Sequence, residues 1–379
     1  MNAPPTTGSS LPVRSPLRRL LRALNLDPVL LGLLLLLAAG GLIVLYAASN
    51  GASGLVVRQA VRLLLGLGVL AAVAQVPVGY YRFVAPWFYA STILLLALVF
   101  AVGERSLGAV RWINFGVVRV QPGEVAQLAL PLLLVWILGA TPEPPRGWRL
   151  LTAVGLIALP AGLIALEPDL GTAVLVVAIG LVVLFLAGLS WRWIAAGGLA
   201  LVAAAPVAWH FMHRYQRERI QVFLHPERDP LGAGYHIIQS RIAIGSGGFL
   251  GSGWMHGSQA YLNFLPEQTT DFIFAVLAEE FGLLGALALI FLYLGIVFRI
   301  LWLAQRASDR FSRLLGAAVA TLIFLYAFVN IAMVSGLLPV VGEPLPLVSF
   351  GGSSIVTLLA GCGAVMGLDA HRSHLDHHL

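Results

Sequence analysis

Residues 28–48 read PVLLGLLLLLAAGGLIVLYAA, twenty-one positions without a single charge. A helix needs about 20 such residues to cross the hydrocarbon core of a bilayer. Backbone N–H and C=O groups in lipid must find partners inside their own segment, and a helix provides them. The rest of the chain repeats the pattern. Comparable runs fall at roughly 55–76, 82–102, 121–139, 150–166, 170–188, 191–210, 272–300, 311–335 and 349–369. The spacing predicts an all-α, polytopic membrane domain over 27–370, with about ten transmembrane helices. Pro131 and Pro160 interrupt two of these runs; neighbouring helices can re-satisfy the freed backbone.

Composition points the same way. The 379 residues are 59% hydrophobic and only 11% charged, where a soluble domain carries about 25% charged residues. The net charge is +6, and all 23 basic residues are Arg. No loop combines a dense basic run with interleaved aromatics, which argues against a nucleic-acid partner. The single cysteine, Cys362, excludes a disulfide within the chain.

Residues 1–26 are Pro/Ser-rich and then basic, with Arg14, Arg18, Arg19 and Arg22. They read as a disordered tail ahead of a retained first span, since the following apolar run is too long for a cleaved leader. Residues 371–379 form a second tail. With the N-terminus inside, thirteen arginines lie on the inner side; five lie outside once the long loop at 211–271 is set apart. Long loops are largely exempt from the charge rule, so both termini are expected in the cytoplasm. That loop joins helices 7 and 8, and its length suggests function. Short amphipathic or re-entrant pieces are expected in it. Its glycine-rich stretch 245–253 (GSGGFLGSG) suits close backbone packing or, alternatively, an N–H nest for phosphate.

Most spans lack charge, so the exceptions carry information. Asp271 stands at the mouth of the eighth span, with Glu279 and Glu280 deeper by about 12–13 Å. Around the helix they diverge from Asp271 by about 80° and 180°, so the three cannot share one small site. Asp271 is either a helix cap or a reacting group. Glu124, in 121–127 (QPGEVAQ), either complements a helix N-terminus or serves a site. Residues 167–172 (EPDLGT) are a turn that starts the next helix, or a third site. Outer arginines, among them Arg111, Arg217 and Arg241, pair locally or receive an anionic ligand, because guanidinium forks suit phosphate oxygens. Phosphate-loop, dinucleotide, zinc-protease and serine-hydrolase motifs are absent. The histidines lack a convincing metal spacing.

Several strings occur in an order that identifies a family. Residues 108–116 (GAVRWINFG), 121–124 (QPGE), 167–173 (EPDLGTA), 229–248 (DPLGAGYHIIQSRIAIGSGG), 264–274 (FLPEQTTDFIF) and 338–354 (LPVVGEPLPLVSFGGSS) resemble the signatures of the SEDS family (shape, elongation, division and sporulation). Residues 234–240, 254–259 and 341–346 resemble its elongation members rather than its division members. The resemblance implies a peptidoglycan glycosyltransferase at the outer face of the bacterial cytoplasmic membrane. Such a protein joins lipid II units into β-1,4 glycan and releases undecaprenyl pyrophosphate. It implies Asp271 as the catalytic carboxylate and Glu124 as its support. Expected partners are a class B penicillin-binding protein transpeptidase and other membrane proteins of the elongation complex.

Elementary chemistry is compatible with that role. The acceptor hydroxyl needs a base, and a carboxylate at a low-dielectric membrane edge suits it. The departing pyrophosphate needs positive charge. Arg111 and Arg217 are candidates to provide it, then Arg241, with Asp169 as a further substrate contact; a divalent cation, Mg or Mn, is the other source, and no organic cofactor is expected. The chain departs from the family pattern at Gly123, Gln127, Glu167, Ser252 and Thr269; two of these positions usually hold lysine. Two other functions fit the same sequence: a lipid II transporter and a non-enzymatic scaffold for the transpeptidase.

Overall fold

The computed structural model describes residues 21, 23–106, 109–114, 116, 119–211, 214–229, 232–262 and 264–375. The first twenty residues, Arg22 and the last four residues lie outside them. The helices are α1 (Pro28–Ala48), α2 (Ser53–Ala74), α3 (Val78–Val102), α4 (Pro122–Gly139), α5 (Trp148–Leu166), α6 (Leu170–Leu186) and α7 (Trp191–Phe211). The long loop holds α8 (Arg214–Leu224), α9 (Ala233–Gly247) and the short α10 (Ser258–Tyr261). Then come α11 (Ile273–Arg306), α12 (Arg310–Val334) and α13 (Ser353–Leu375).

Seven of these, α1 to α5, α11 and α12, are long and apolar enough to cross a membrane among the described residues. The 17-residue α6, the 21-residue α7 and the apolar part of α13 occupy the three remaining expected positions. The chain is a multi-pass helical membrane protein. Pro131 and Pro160 both lie inside helices, α4 and α5, whose ends fall close to the hydropathy limits. Asp residues start several helices: Asp27 accepts from Leu30 N at 2.7 Å, and Asp309 from Ser312 N at 3.3 Å. Helices α4 and α12 form the centre, with 72% and 61% of their spans buried; α2, at 22%, lies on the outside.

The two ends of the bundle sort as alternating crossings require. At one end Arg299, late in α11, binds Asp27 ahead of α1 at 2.6 Å. Arg82 at the start of α3 meets Asp309 at 2.5 Å, and Arg310 donates to the carbonyls of Thr141 and Ala187. The opposite end gathers the α3–α4 connection, the long loop and the α12–α13 connection. The first of these falls between two apolar runs and carries no span. Instead it folds as a three-stranded antiparallel sheet, β1 (Glu104–Ser106), β2 (Ala109–Asn114) and β3 (Arg119–Val120). Trp112 pairs with Glu104, and Ile113 with Val120. Val110, Trp112 and Ile113 favour a strand, yet six residues are too few to register beside runs of span length.

Helix α11 is broken at Gly282, whose backbone sits at φ 64° and ψ −162°. The loop 248–253 docks into the break. Ser252 N and Gly253 N donate to the carbonyls of Glu279 and Glu280 at 2.9 and 3.0 Å. On the far side Leu283 N and Leu284 N donate to Gly248 O and Phe249 O at 2.9 and 3.3 Å. Gly251 lies against Gly282 at φ 86°, where an added Cβ would fall 2.1 Å from Glu280 O. The glycine-rich stretch is therefore a packing device. Gly251→Ala combines a left-handed backbone penalty of about 1–2 kcal/mol with an overpacking cost of about 1–3 kcal/mol. A clear fall in Tm of the detergent-solubilised protein is the expected result, and an unchanged Tm would contradict the packing account.

Candidate active site

At the loop-bearing end the starts of α4 and α6 come together. Pro122 opens α4, and Glu124 lies in its first turn, buried at 4% exposure. Asp169 is the N-cap of α6, accepting from Thr172 N at 3.4 Å, and is equally buried. Its Oδ2 also accepts from Gln121 Nε2 at 3.2 Å and Thr172 Oγ1 at 2.9 Å. Arg111 on β2 reaches the same oxygen at 3.5 Å. Thr172 Oγ1 is 2.8 Å from Oε1 of Glu343, which comes from the α12–α13 connection. Glu124, Asp169 and Asp271 all act electrostatically on Glu343.

Asp271 stands one residue outside the α11 cap. The N-cap position is Phe272, so Asp271 lies just ahead of the cap and not at it. It is partly exposed, and its Oδ2 lies beside Gly342. Its backbone is clamped. Phe350 N donates to Thr269 O at 2.8 Å, Ser349 Oγ to Thr270 O at 2.5 Å, and Asn330 Nδ2 to Asp271 O at 2.9 Å. The same Asn330 amide donates to Glu343 O at 2.7 Å. Three successive carbonyls are thus fixed by two elements, which holds the carboxylate in one place.

The surroundings contain polar atoms that no protein group satisfies. Among the described residues, Arg111 Nε, Glu167 Oε1 and Asn330 Oδ1 are buried without a hydrogen-bond partner, while the Glu124 carboxyl has the Ser353 hydroxyl beside it and the Gln127 amide has the Tyr326 phenol. Buried polar atoms are nearly always paired with protein, water or ligand, so these three sites are open to water or to a polar guest. No three His, Cys, Asp or Glu side chains converge at metal-ligand distance among the described residues. A Mg or Mn ion here would take most of its ligands from substrate phosphate oxygens.

The other candidates sort differently. Arg217 on α8 donates to His210 O at 2.8 Å, with its Nε buried and unpartnered. Arg241 on α9 donates to Gly336 O at 2.9 Å and so steadies the end of α12. Glu279 turns away from Asp271 and receives the amides of Gln259 and Ala260 at 2.8 and 3.2 Å, fixing the start of α10. Sequence reasoning missed Glu343 and Asn330. It also missed His236, whose ring stacks on Phe272 at 5.7 Å, one residue from Asp271. Burial holds that imidazole below its usual pKa, against the pull of Glu267.

Burial, with Asp169 adding to it and Arg111 opposing, pushes the Glu167 carboxyl up to about 8. Folding therefore favours its neutral form, and the unfolded chain binds fewer protons between about 4.5 and 8. Its stabilising contribution is complete at the acid end of that window and declines as pH rises through it. Glu167→Gln should flatten that decline in Tm measured across the window; an unaltered slope would show that Glu167 titrates normally.

The chain belongs to the cell cycle protein family that groups FtsW, RodA and SpoVE, whose pattern matches residues 18–374. It is 48% identical over 353 residues to peptidoglycan glycosyltransferase MrdB of Escherichia coli strain K12, covering 93% of this chain and 95% of that protein. Its structure resembles a chain of a peptidoglycan synthase complex that coordinates polymerization and crosslinking. The TM-score there is 0.80 at 36% identity, over 91% of this chain and 98% of the other. It also resembles the rod shape determining protein RodA of Thermus thermophilus, at TM-score 0.69 and 30% identity over 92% and 97% of the two chains.

Proposed function

We propose that Asp271 is the general base of the peptidoglycan glycosyltransferase that this chain constitutes. In this reading two lipid II molecules meet at the outer face of the cytoplasmic membrane. The acceptor sugar hydroxyl attacks the donor anomeric carbon, and its proton passes to Asp271. The bond from that carbon to the pyrophosphate oxygen breaks, and undecaprenyl pyrophosphate leaves. A single displacement inverts the anomeric centre and gives a β-linked glycan.

One observation supports the reading above the others. The carbonyls of residues 269–271 are clamped by Phe350, Ser349 and Asn330, while the Asp271 carboxylate remains partly exposed beside a buried polar cluster. Glu124 and Asp169 belong to that cluster. Arg111, paired with Asp169 in that cluster, is a source of positive charge for the pyrophosphate, and Arg217 and Arg241 lie on helices of the long loop. A class B penicillin-binding protein is the partner that crosslinks the product.

The test is reconstitution of the purified full-length chain with labelled lipid II and its transpeptidase partner. A ladder of glycan strands is expected. Movement of lipid II across a vesicle membrane with no ladder would replace this reading with the transporter; neither activity would leave the scaffold.

A further inference from the structure

We propose that Glu343 is a positioning residue of the transfer site, present as a carboxylic acid that donates its proton to the Thr172 hydroxyl and so aims that hydroxyl's own proton at Asp169. The proposal rests on the reading that Arg111 and Asp169 serve the sugar-transfer site.

The argument is a proton count. Thr172 Oγ1 lies 2.8 Å from Glu343 Oε1 and 2.9 Å from Asp169 Oδ2. A hydroxyl has one proton and donates once. Were both acids ionised, one of these short contacts would set oxygen lone pair against oxygen lone pair, between two buried anions. A second proton must therefore sit on one of the carboxyls. Asp169 has Arg111 at 3.5 Å and receives the Gln121 amide, so it is the ionised member. Glu343 is 3% exposed and has no cation beside it among the described residues.

The groups that face it are Glu124 on α4, Asp169 at the start of α6, Asp271 ahead of α11 and the Tyr326 phenol on α12. Every charge among them is negative. Burial first, and Asp169 next, push the Glu343 carboxyl well above the usual carboxylate range.

The acid form gives a continuous donor chain, Glu343 to Thr172 to Asp169, and Arg111 forms an ion pair with the same Asp169 oxygen at 3.5 Å. The chain fixes the Asp169 carboxylate and, through it, the guanidinium. An ionised Glu343 would reverse the Thr172 hydroxyl and release Asp169 from one of its donors. Because Asn330 holds the backbone of both Glu343 and Asp271, the donor chain and the base share one support.

Infrared difference spectroscopy of the full-length protein in detergent, Glu343→Gln against the parent chain at neutral pH, tests where the proton is. Loss of a carboxylic-acid C=O band is expected. Loss of an ionised-carboxylate band in its place would overturn the proposal. Polymerisation of labelled lipid II tests the role. Glu343→Ala should lower kcat about 100-fold through misplacement of the site. Glu343→Gln keeps an N–H donor toward Thr172 and should restore most of that loss. A Gln variant as slow as the Ala variant would overturn the positioning role, and if Ala fails to fold, Glu343→Leu provides the comparison. The infrared result stands whether or not Asp271 is the base, so the two readings fail separately.

Discussion

Asp271→Asn is expected to abolish glycan polymerisation while leaving the protein folded and bound to its partner. The substitution exchanges one oxygen for an amide of the same shape and removes the lone pair that takes the acceptor's proton. General-base catalysis contributes about 10²–10⁴-fold, enough to remove a visible glycan ladder. The fold has little reason to respond. Asp271 is partly exposed, and the hydrogen bond it receives from Asn330 goes to the backbone carbonyl, which the variant keeps. The measurement is strand synthesis from labelled lipid II by the purified complex, with co-purification of the transpeptidase as the control for folding. Synthesis at the parent rate would remove Asp271 from the chemistry.

Asn330→Ala is expected to damage both stability and rate. The Asn330 side chain is fully buried, and its single amide nitrogen donates to Asp271 O and Glu343 O. Removing it leaves two carbonyls short of a donor, at about 1–3 kcal/mol each. It also frees the Asp271 turn from one of its three clamps, and a shift of about 1 Å at a reacting group costs about 100-fold in rate. A lower Tm together with a depressed kcat at nearly unchanged KM would match this account. A variant that loses Tm but keeps its kcat would show that the remaining clamps, from Phe350 and Ser349, suffice.

The membrane architecture was legible because it depends on long, chemically simple runs. Residues 28–48 could hardly do anything but cross a bilayer, and prolines 131 and 160 did not end their helices because neighbours cover them. The site was legible only in part. Asp271, Glu124, Arg111 and Asp169 stood out as charges in an apolar chain, and the order of the motifs singled them out further. What joins them was not. Glu343 lies 171 residues from Thr172 and 12 ahead of Ile355, inside a string whose residues looked like punctuation between two helices. Asn330 sits within a span, where an amide looks incidental until the two carbonyls it serves are brought together. Glu279 is the converse case. A carboxylate deep in a span stands out in the sequence, but both its oxygens are occupied by the amides that start α10.

The break in α11 has a consequence for how the bend is maintained. In an unbroken helix Leu283 N would donate to Glu279 O, and Leu284 N to Glu280 O. The docked loop offers each of these four groups a substitute, so the bend leaves none of them unsatisfied, and four bonds cross the break where a straight helix would make two. Hydrogen bonding to the loop therefore favours the bend, and two glycines, Gly251 and Gly282, make the approach of one backbone to the other sterically possible. The segment before the break, which leads directly to Asp271, takes its direction from a surface loop more than from the long rod that follows it.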